Sequence, residues 1–294
     1  MQQEPYSYVG LGWAMHMGRL HNYDSIDDEI TIEFPDGRWE TTYPNINDPQ
    51  QNISKDFLKY DRYNHKLYFK DGTVWTFGEP RTITYDMSFH DVLQVTAIEN
   101  SYGHKIEIDY VQGFPIIDNI TDSMGRQVDF IIDFSTPARP KLDAIKVKDS
   151  DGQWVTYDYQ VSLFESTYYH RLDSYKAPEI PVSTYTYYGN NTENKFAIQK
   201  VTTPFGGTME YEYEDHVFQF YTNNLYTRVV TQKEIKFSST TPVKTWTYTY
   251  PTYADSTGTV TVNGPEFDTK ATYYGNPGTP ASENGWRVGL LKEK

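Results

Sequence analysis

The chain of 294 residues contains no cysteine, so disulfide bonds and cysteine-ligated zinc are excluded. It also lacks any run of about 18 apolar residues, the length that a membrane-spanning helix needs. No positively charged start followed by an apolar run comes after Met1, so no signal peptide is expected in this chain.

Basic residues are scarce: 26 Lys and Arg stand against 40 Asp and Glu, which gives a formal net charge of -14. A surface of this sign repels a phosphate backbone, so nucleic acid is not expected as a partner. The acidic charge is more simply interpreted as a contribution to solubility.

Aromatic residues are abundant, at 16% of the chain with 27 tyrosines, and tyrosine suits strand faces that are partly wet. In the stretch 154–161, apolar residues alternate with polar ones and with Trp154, which is the period of a half-buried strand. The apolar positions are Val155, Tyr157, Tyr159 and Val161.

The same alternation recurs after other glycines. Apolar residues stand mostly three, five and seven positions after each glycine and five positions before it. Five glycines share this pattern: Gly72, Gly103, Gly125, Gly152 and Gly206. Gly37 joins in part, through Ile32, but its following strand is interpreted as shifted to Trp39, Thr41 and Tyr43.

These offsets predict a specific turn. If the residue five positions before the glycine faces the residue three positions after it, the loop between the strands has three residues. Such a loop is a type I turn that is closed by a glycine in the left-handed conformation. Asn100, Asp122 and Asp149 occupy the first turn position, which favours them. The five glycines are therefore predicted to have positive φ.

The spacing of the glycines is that of an array. From Gly72 the intervals are 31, 22, 27 and 54 residues, and the last is twice 27. The missing midpoint falls near Glu179, where a degenerate unit without its glycine is expected. A period of this size is typical of repeat architectures. We expect an all-β fold in which antiparallel β-hairpin repeats form a curved ribbon or partial shell.

A glycine turn followed by Tyr157-Asp158-Tyr159, or by Tyr211-Glu212-Tyr213, resembles the YD repeat of Rhs proteins. The segments 9–13 with 18–20, and 286–291, are similar to segments of Rhs-type β-shells. The resemblance implies a hollow shell like those of toxin complex components and teneurins, which in bacterial members can enclose a toxic effector segment. No segment resembles the family's aspartyl protease, so no catalytic residue is carried over.

Three regions are predicted. Residues 1–63 hold the glycine-tryptophan segment and an irregular β region, 64–216 hold the YD-like hairpin array, and 217–294 hold further strands with an exposed loop at 275–285. Gly10, Gly12 and Gly18 indicate close backbone approaches, either in an end-cap of the array or in an irregular first strand pair. A short helix is possible at 56–63, and strands are expected at 228–237, 243–250 and 257–262.

Aromatic side chains on a β-ribbon can stack on sugar rings, and the candidates are Trp39, Trp75, Trp154 and Trp246. Packing is the alternative role for each of them. The candidates for a metal are Asp24, Asp27 and Asp28, with Asp149 and Asp151 as a weaker calcium-like spacing. The alternation places Glu210, Glu212 and Glu214 on one strand face, interpreted as solvated rather than as an acidic groove.

No pattern for catalysis is complete. The seven histidines form no metal-ligand pair, and the spacing of His16 and His21 does not aim both at one point. There is no phosphate loop and no nucleophile elbow. No enzymatic activity and no cofactor are expected.

Two functions are therefore held open. The first is a non-enzymatic, Rhs-like structural scaffold within a larger secreted or surface protein, whose partners are the rest of that chain or an enclosed effector. The alternative is a module that binds glycans or cell-surface proteins through the aromatic residues of its β-ribbon.

Overall fold

The computed structural model describes residues 7–24, 29–85, 88–137, 139–164, 169–189, 196–220, 223–238, 240–251, 257–274 and 291–293. Within these ranges every regular element is a β-strand and the strand pairs are antiparallel, which confirms the expected all-β hairpin class. None of these residues belongs to a helix long and apolar enough to cross a membrane. The chain divides into two compact units, Met1–Glu179 and Ile180–Lys294.

The first unit contains strands β1 to β14. Their bounds are β1 Arg19–His21, β2 Ile30–Glu33, β3 Trp39–Asn45, β4 Asp48–Ser54, β5 Lys59–Asp61, β6 Lys66–Tyr68, β7 Val74–Tyr85, β8 Ser88–Glu99, β9 Lys105–Tyr110, β10 Ile117–Asp122, β11 Gln127–Asp133, β12 Lys141–Lys148, β13 Trp154–Leu163 and β14 His170–Lys176.

Strands β1 to β8 form a closed ring. From β2 to β8 each strand pairs with the next along the chain, and β1 pairs with both β2 and β8. Leu20 takes part in both pairings of β1, because it lies opposite Ile32 of β2 and opposite Leu93 of β8. The short strand β1 therefore covers an edge of each of its two neighbours.

The apolar core of the first unit follows from this ring. Residues directly opposite each other in antiparallel strands share one face, and the pairs Tyr60–Leu67 and Leu67–Trp75 continue the face that carries Leu20 and Ile32. Four of these five side chains are completely buried, and Trp75 is 9% exposed. From β8 the chain continues as a meander, with β9 to β14 each paired to the next.

Residues 7–18 precede β1 without forming a strand, and they contribute Tyr8 and Val9 to the core. The Leu142 amide donates to the Tyr8 carbonyl at 2.9 Å, and the Leu11 amide donates to the His170 carbonyl at 2.8 Å. The glycine-tryptophan segment thus bridges the first residues of β12 and β14.

The predicted close approaches hold at two of three glycines. A Cβ atom at Gly10 would lie 2.8 Å from the Leu172 nitrogen, and one at Gly18 would lie 2.5 Å from the Trp75 ring. At Gly12 nothing lies within 4 Å, so the prediction is wrong there. Its positive φ of 80° indicates a role in the turn instead.

The second unit contains strands β15 to β22. Their bounds are β15 Ser183–Tyr187, β16 Ile198–Thr202, β17 Thr208–Phe220, β18 Asn223–Lys236, β19 Lys244–Thr249, β20 Thr257–Asn263, β21 Asp268–Tyr274 and β22 Leu291–Glu293. Each pairs with the next along the chain, so this unit is a single meander. The three strands expected after residue 217 are present as β18, β19 and β20.

Three local expectations have different outcomes. The helix expected at 56–63 is wrong: this stretch contains β5, and Phe57 before it has a φ of 64°. At the degenerate unit expected near Glu179, that residue itself has a φ of 58°. A non-glycine residue therefore takes the left-handed conformation there. The loop expected at 275–285 lies outside the described residues.

Candidate functional site

The five turn glycines have φ between 76° at Gly152 and 85° at Gly72, as predicted. Each glycine amide donates to the carbonyl three residues earlier, at 2.9–3.1 Å. The residues at minus five and plus three are directly paired in all five turns: Leu67–Trp75, Ile98–Ile106, Ile120–Val128, Val147–Val155 and Val201–Met209. The turn inferred from the sequence is thus the turn observed.

The unit at Gly37 corrects the sequence interpretation. Ile32 lies opposite Glu40, which is the plus-three position, so the backbone has the same register as the other turns. The predicted shift is wrong because a buried glutamate stands where the other units have an apolar or aromatic residue.

Side-chain hydrogen bonds explain why Asn or Asp is the first residue of three of these turns. The Oδ1 atom of Asn100 accepts hydrogen bonds from the backbone amides of Tyr102 and His104, and Asp122 and Asp149 do the same in their turns, at 2.8–3.0 Å. Hydrogen bonding from Arg126 lowers the pKa of Asp122. Because the Asp149 oxygen is engaged inside its own turn, the turn explains this residue without calcium.

The apolar positions of the array lie on one face of the sheet. The pairings Ile108–Ile120, Ile120–Val128, Val128–Val147 and Val147–Val155 connect β9 to β13 in a continuous row. On β9, Ile108 is 2% exposed, while its neighbours at 107 and 109 are exposed. The apolar positions of successive hairpins therefore share one face from β9 to β13.

The tryptophan candidates separate into one core residue and three residues nearer the surface. Trp75 lies in the core against Phe34, Phe69 and Phe77, so a ligand-stacking role is wrong for it. Its position in the ring, opposite Leu67, accounts for its burial.

Each of the other three tryptophans has a cross-strand or neighbouring partner. Trp39 is 39% exposed and lies 4.6 Å from the His21 ring, between centroids. Trp154 is 42% exposed, with Lys148 Nζ 5.0 Å from its ring centre. Trp246 is half-buried, with Lys233 Nζ at 5.8 Å. The lysine contacts of Trp154 and Trp246 are cation–π interactions, whereas Trp39 packs against an aromatic ring.

The acidic candidates that the structure describes are exposed. Asp24 is exposed, whereas Asp27 and Asp28 lie outside the described residues. Among the residues that the structure describes, no group of three or more His, Cys, Asp or Glu side chains is arranged to hold a metal ion. Glu210, Glu212 and Glu214 are all exposed on β17, and Glu210 lies 2.8 Å from Lys200.

Sequence reasoning missed a buried ionic cluster around Glu33, which is 7% exposed. His16 Nε2 lies 3.4 Å from its carboxylate, His21 Nε2 lies at 3.0 Å and Arg19 at 3.6 Å. The two histidines therefore do reach one point, contrary to the expectation from their spacing. The irregular backbone through Gly18 separates them, so the periodicity of a strand or helix does not apply.

The charge state of Glu33 follows from these contacts. Burial alone would raise the pKa of the Glu33 carboxyl, but hydrogen bonds with His16 and His21 and the charge of Arg19 outweigh it. The pKa of Glu33 is therefore well below its usual range, and the side chain stays ionised. The cluster joins the segment before β1 to β2, which is a structural role.

Comparisons with known proteins assign no family to this chain. No family model matches the chain, and no curated protein matches it. Among solved structures, a porin-like protein from Bacteroides uniformis ATCC 8492 aligns over 87% of this chain and 92% of its own, with 13% identity and a TM-score of 0.29.

Proposed function

We propose that this chain is a non-enzymatic structural scaffold of the Rhs-like, YD-repeat type, part of a secreted or surface protein. The observation that carries the proposal is the shared turn geometry: five glycine turns have one register, one hydrogen-bond pattern and one sign of φ. A repeated unit of this kind buries its apolar face mainly against its neighbours, so extension of the array is what the repeat provides.

The two faces of the hairpins support this role. On β13, Tyr157 is half-buried, whereas Asp158 on the opposite face is exposed. A half-buried row of tyrosines gives a surface that contacts either another part of a larger chain or an enclosed polypeptide, because tyrosine combines an apolar ring with a polar end.

The experiment is site-specific photocrosslinking in cells that make the protein. A photoreactive phenylalanine derivative replaces Tyr157 in one version and Asp158 in a matched control. The scaffold proposal expects crosslinks to a second polypeptide, or to another part of the same protein, from position 157 and not from position 158. Equal crosslinking from both positions, or none from 157, would contradict it.

A turnover screen tests the non-enzymatic part. The purified chain is assayed on glycosidase, protease and esterase substrates beside a variant in which Glu210, Glu212 and Glu214 are changed to glutamine. Neither protein is expected to turn over substrate. Activity that disappears in the variant would overturn the proposal and place a site on β17.

A second candidate function is glycan binding on the β-ribbon, and the exposed indole of Trp154 favours it. Its ring has Lys148 on β12 beside it and a large accessible fraction, which suits stacking on a sugar. A glycan array probed with the wild-type chain and with Trp154→Ala tests this. Binding that is retained in the variant would exclude Trp154 as the site.

A further inference from the structure

Five hairpins share a β-bulge at the point where their two strands separate. In each, the last pair of the hairpin is followed on the first strand by one residue that is skipped in the pairing with the preceding strand. The last pairs are Ala97–Glu107, Asn119–Asp129, Ala144–Asp158, Lys200–Glu210 and Gln232–Thr247. The skipped residues are Thr96, Asp118, Asp143, Gln199 and Thr231. The bulge is therefore part of the repeat.

The residue directly before each bulged residue is apolar, and we call it the branch residue: Val95, Ile117, Leu142, Ile198 or Val230. The backbone groups of successive strand residues point alternately to the two neighbouring strands. A bulge adds one residue to one strand, so beyond it these groups point to the opposite side. At a branch residue that side is a fork, because the second strand of the hairpin has already departed.

Two branch residues of the first unit bind the segment that precedes β1. The Val95 amide donates to the Gly18 carbonyl at 3.1 Å, and the Leu142 amide donates to the Tyr8 carbonyl at 2.9 Å. Both branch side chains are at most 1% exposed. Residues 7–18 thus dock on two forks through backbone hydrogen bonds.

A tyrosine hydroxyl supports three of the forks from the opposite strand. Each of these tyrosines stands three residues past the last pair and donates to the carbonyl of the branch residue, at 2.7–2.9 Å. The donors and acceptors are Tyr110 and Val95, Tyr213 and Ile198, and Tyr250 and Val230. The hydroxyl thus supplies a donor where the departed strand no longer supplies one.

These hydroxyl groups keep their protons. Burial raises the pKa of Tyr213 to about 12, and it also raises the pKa of Tyr110 and of Tyr250. Each phenol is therefore a hydrogen-bond donor at neutral pH.

Glycine in the docked segment allows its close approach to the strands. A Cβ atom at Gly10 would lie 2.8 Å from the Leu172 nitrogen, and one at Gly18 would lie 2.5 Å from the Trp75 ring. Gly18 itself supplies the carbonyl that the Val95 amide binds. A segment with side chains at both positions would not reach the forks in this way.

We propose that each bulge is a branch point at which the hairpin array binds an extended, glycine-containing polypeptide segment. The backbone of the branch residue binds the segment, and a tyrosine hydroxyl holds that residue turned out of the ladder. In the first unit the bound segment is residues 7–18. The inference goes beyond the scaffold function and does not depend on it, because a glycan-binding array would use the same forks.

The first test is amide hydrogen exchange of the full chain, resolved to single residues. Tyr110→Phe removes the hydroxyl and keeps the ring. The Val95 amide is expected to exchange about 10-fold faster in this variant, because the branch residue loses one of its two supports. Tyr102→Phe is the matched control, since this ring is in the same hairpin but is 86% exposed. It should leave exchange at Val95 unchanged.

The second test blocks docking of the segment. Gly10→Ala places a methyl group against the backbone at Leu172, so the Leu142 amide is expected to exchange about 10-fold faster or more. The Val147 amide, on the same strand but within the paired part of the hairpin, should keep its rate. Gly12→Ala is the control, because Gly12 also has positive φ but nothing lies within 4 Å of its Cβ position.

Three results would overturn the proposal. They are an unchanged Leu142 amide in Gly10→Ala, an equal effect of either control variant, and faster exchange in Tyr110→Phe that is spread evenly over Val95, Leu142 and Val147. Because Tyr110→Phe keeps the aromatic ring, it remains a decisive test if Gly10→Ala fails to fold.

Discussion

Glu33 and His21 are joined by a 3.0 Å contact between Oε2 and Nε2, across the β1–β2 pair that helps to close the ring of the first unit. His16 and Arg19 approach the same carboxylate, so a single buried anion faces three basic side chains. The neutral or charged state of this one group therefore affects how β1 is held against β2.

The first prediction concerns Glu33 and pH. Its pKa in the folded chain is below the ordinary value of 4.5, so its contribution to stability is present above that value and is lost as the pH falls. Glu33→Gln is expected to lower the free energy of unfolding by about 3–5 kcal/mol at neutral pH. Chemical denaturation between about pH 6 and pH 3 measures both effects.

The pH slope distinguishes this cause from a general packing defect. The wild-type chain is expected to lose stability below about pH 4.5 more steeply than Glu33→Gln, because the variant has no carboxylate to protonate. Parallel pH profiles for the two proteins would show that the ionised state of Glu33 does not stabilise the ring.

The second prediction concerns the turn at Gly152. A Cβ atom there would meet nothing within 4 Å, and φ is 76°, so a substitution is strained only through its backbone. Gly152→Val is expected to cost about 1–2 kcal/mol, since a β-branched residue fits the left-handed region poorly. Gly152→Asn is the control, and it should cost clearly less in the same denaturation experiment. Equal losses would argue against backbone conformation as the cause.

The third prediction contrasts two tryptophans. Trp75→Ala removes a ring packed against Phe34, Phe69 and Phe77, and is expected to cost about 3–5 kcal/mol. Trp154→Ala removes an exposed ring and is expected to cost less than about 1 kcal/mol. Thermal melts of both variants test this order, and a larger loss for Trp154 would mean that its face of β13 is covered.

The fourth prediction concerns Glu179, an exposed residue with a φ of 58°. Glu179→Gly is expected to raise the free energy of unfolding by about 0.5–1 kcal/mol, because glycine relieves the left-handed strain. Glu179→Ala is the matched control, because it removes the charge but keeps the Cβ atom and should leave stability unchanged. A gain in both variants would point to the charge instead.

The hairpins were predictable because turn chemistry is local. A left-handed glycine determines the loop, supported in three of the five turns by an Asn or Asp three residues before it, and the loop then sets which residues face each other. The same reasoning failed at Gly37, where Glu40 interrupts the apolar pattern although the backbone keeps its register. A pattern of side chains predicts register only where the interior is apolar.

Other features were not predictable because they join distant parts of the chain. The contact between Leu20 and Leu93 spans more than seventy residues, and no local pattern in three residues of β1 indicates it. The cluster at Glu33 likewise brings His16, Arg19 and His21 to one carboxylate through an irregular backbone that no periodicity describes.

The closed ring also has a consequence for the order of folding. The second neighbour of β1, around Leu93, is synthesised more than seventy residues after β1 itself. Until then the edge of β1 that faces β8 stays unpaired, and unpaired edges are sites for association with other chains. Closure of a long loop by so few hydrogen bonds is also slow. The ring of the first unit is therefore expected to close only when β8 docks on β1.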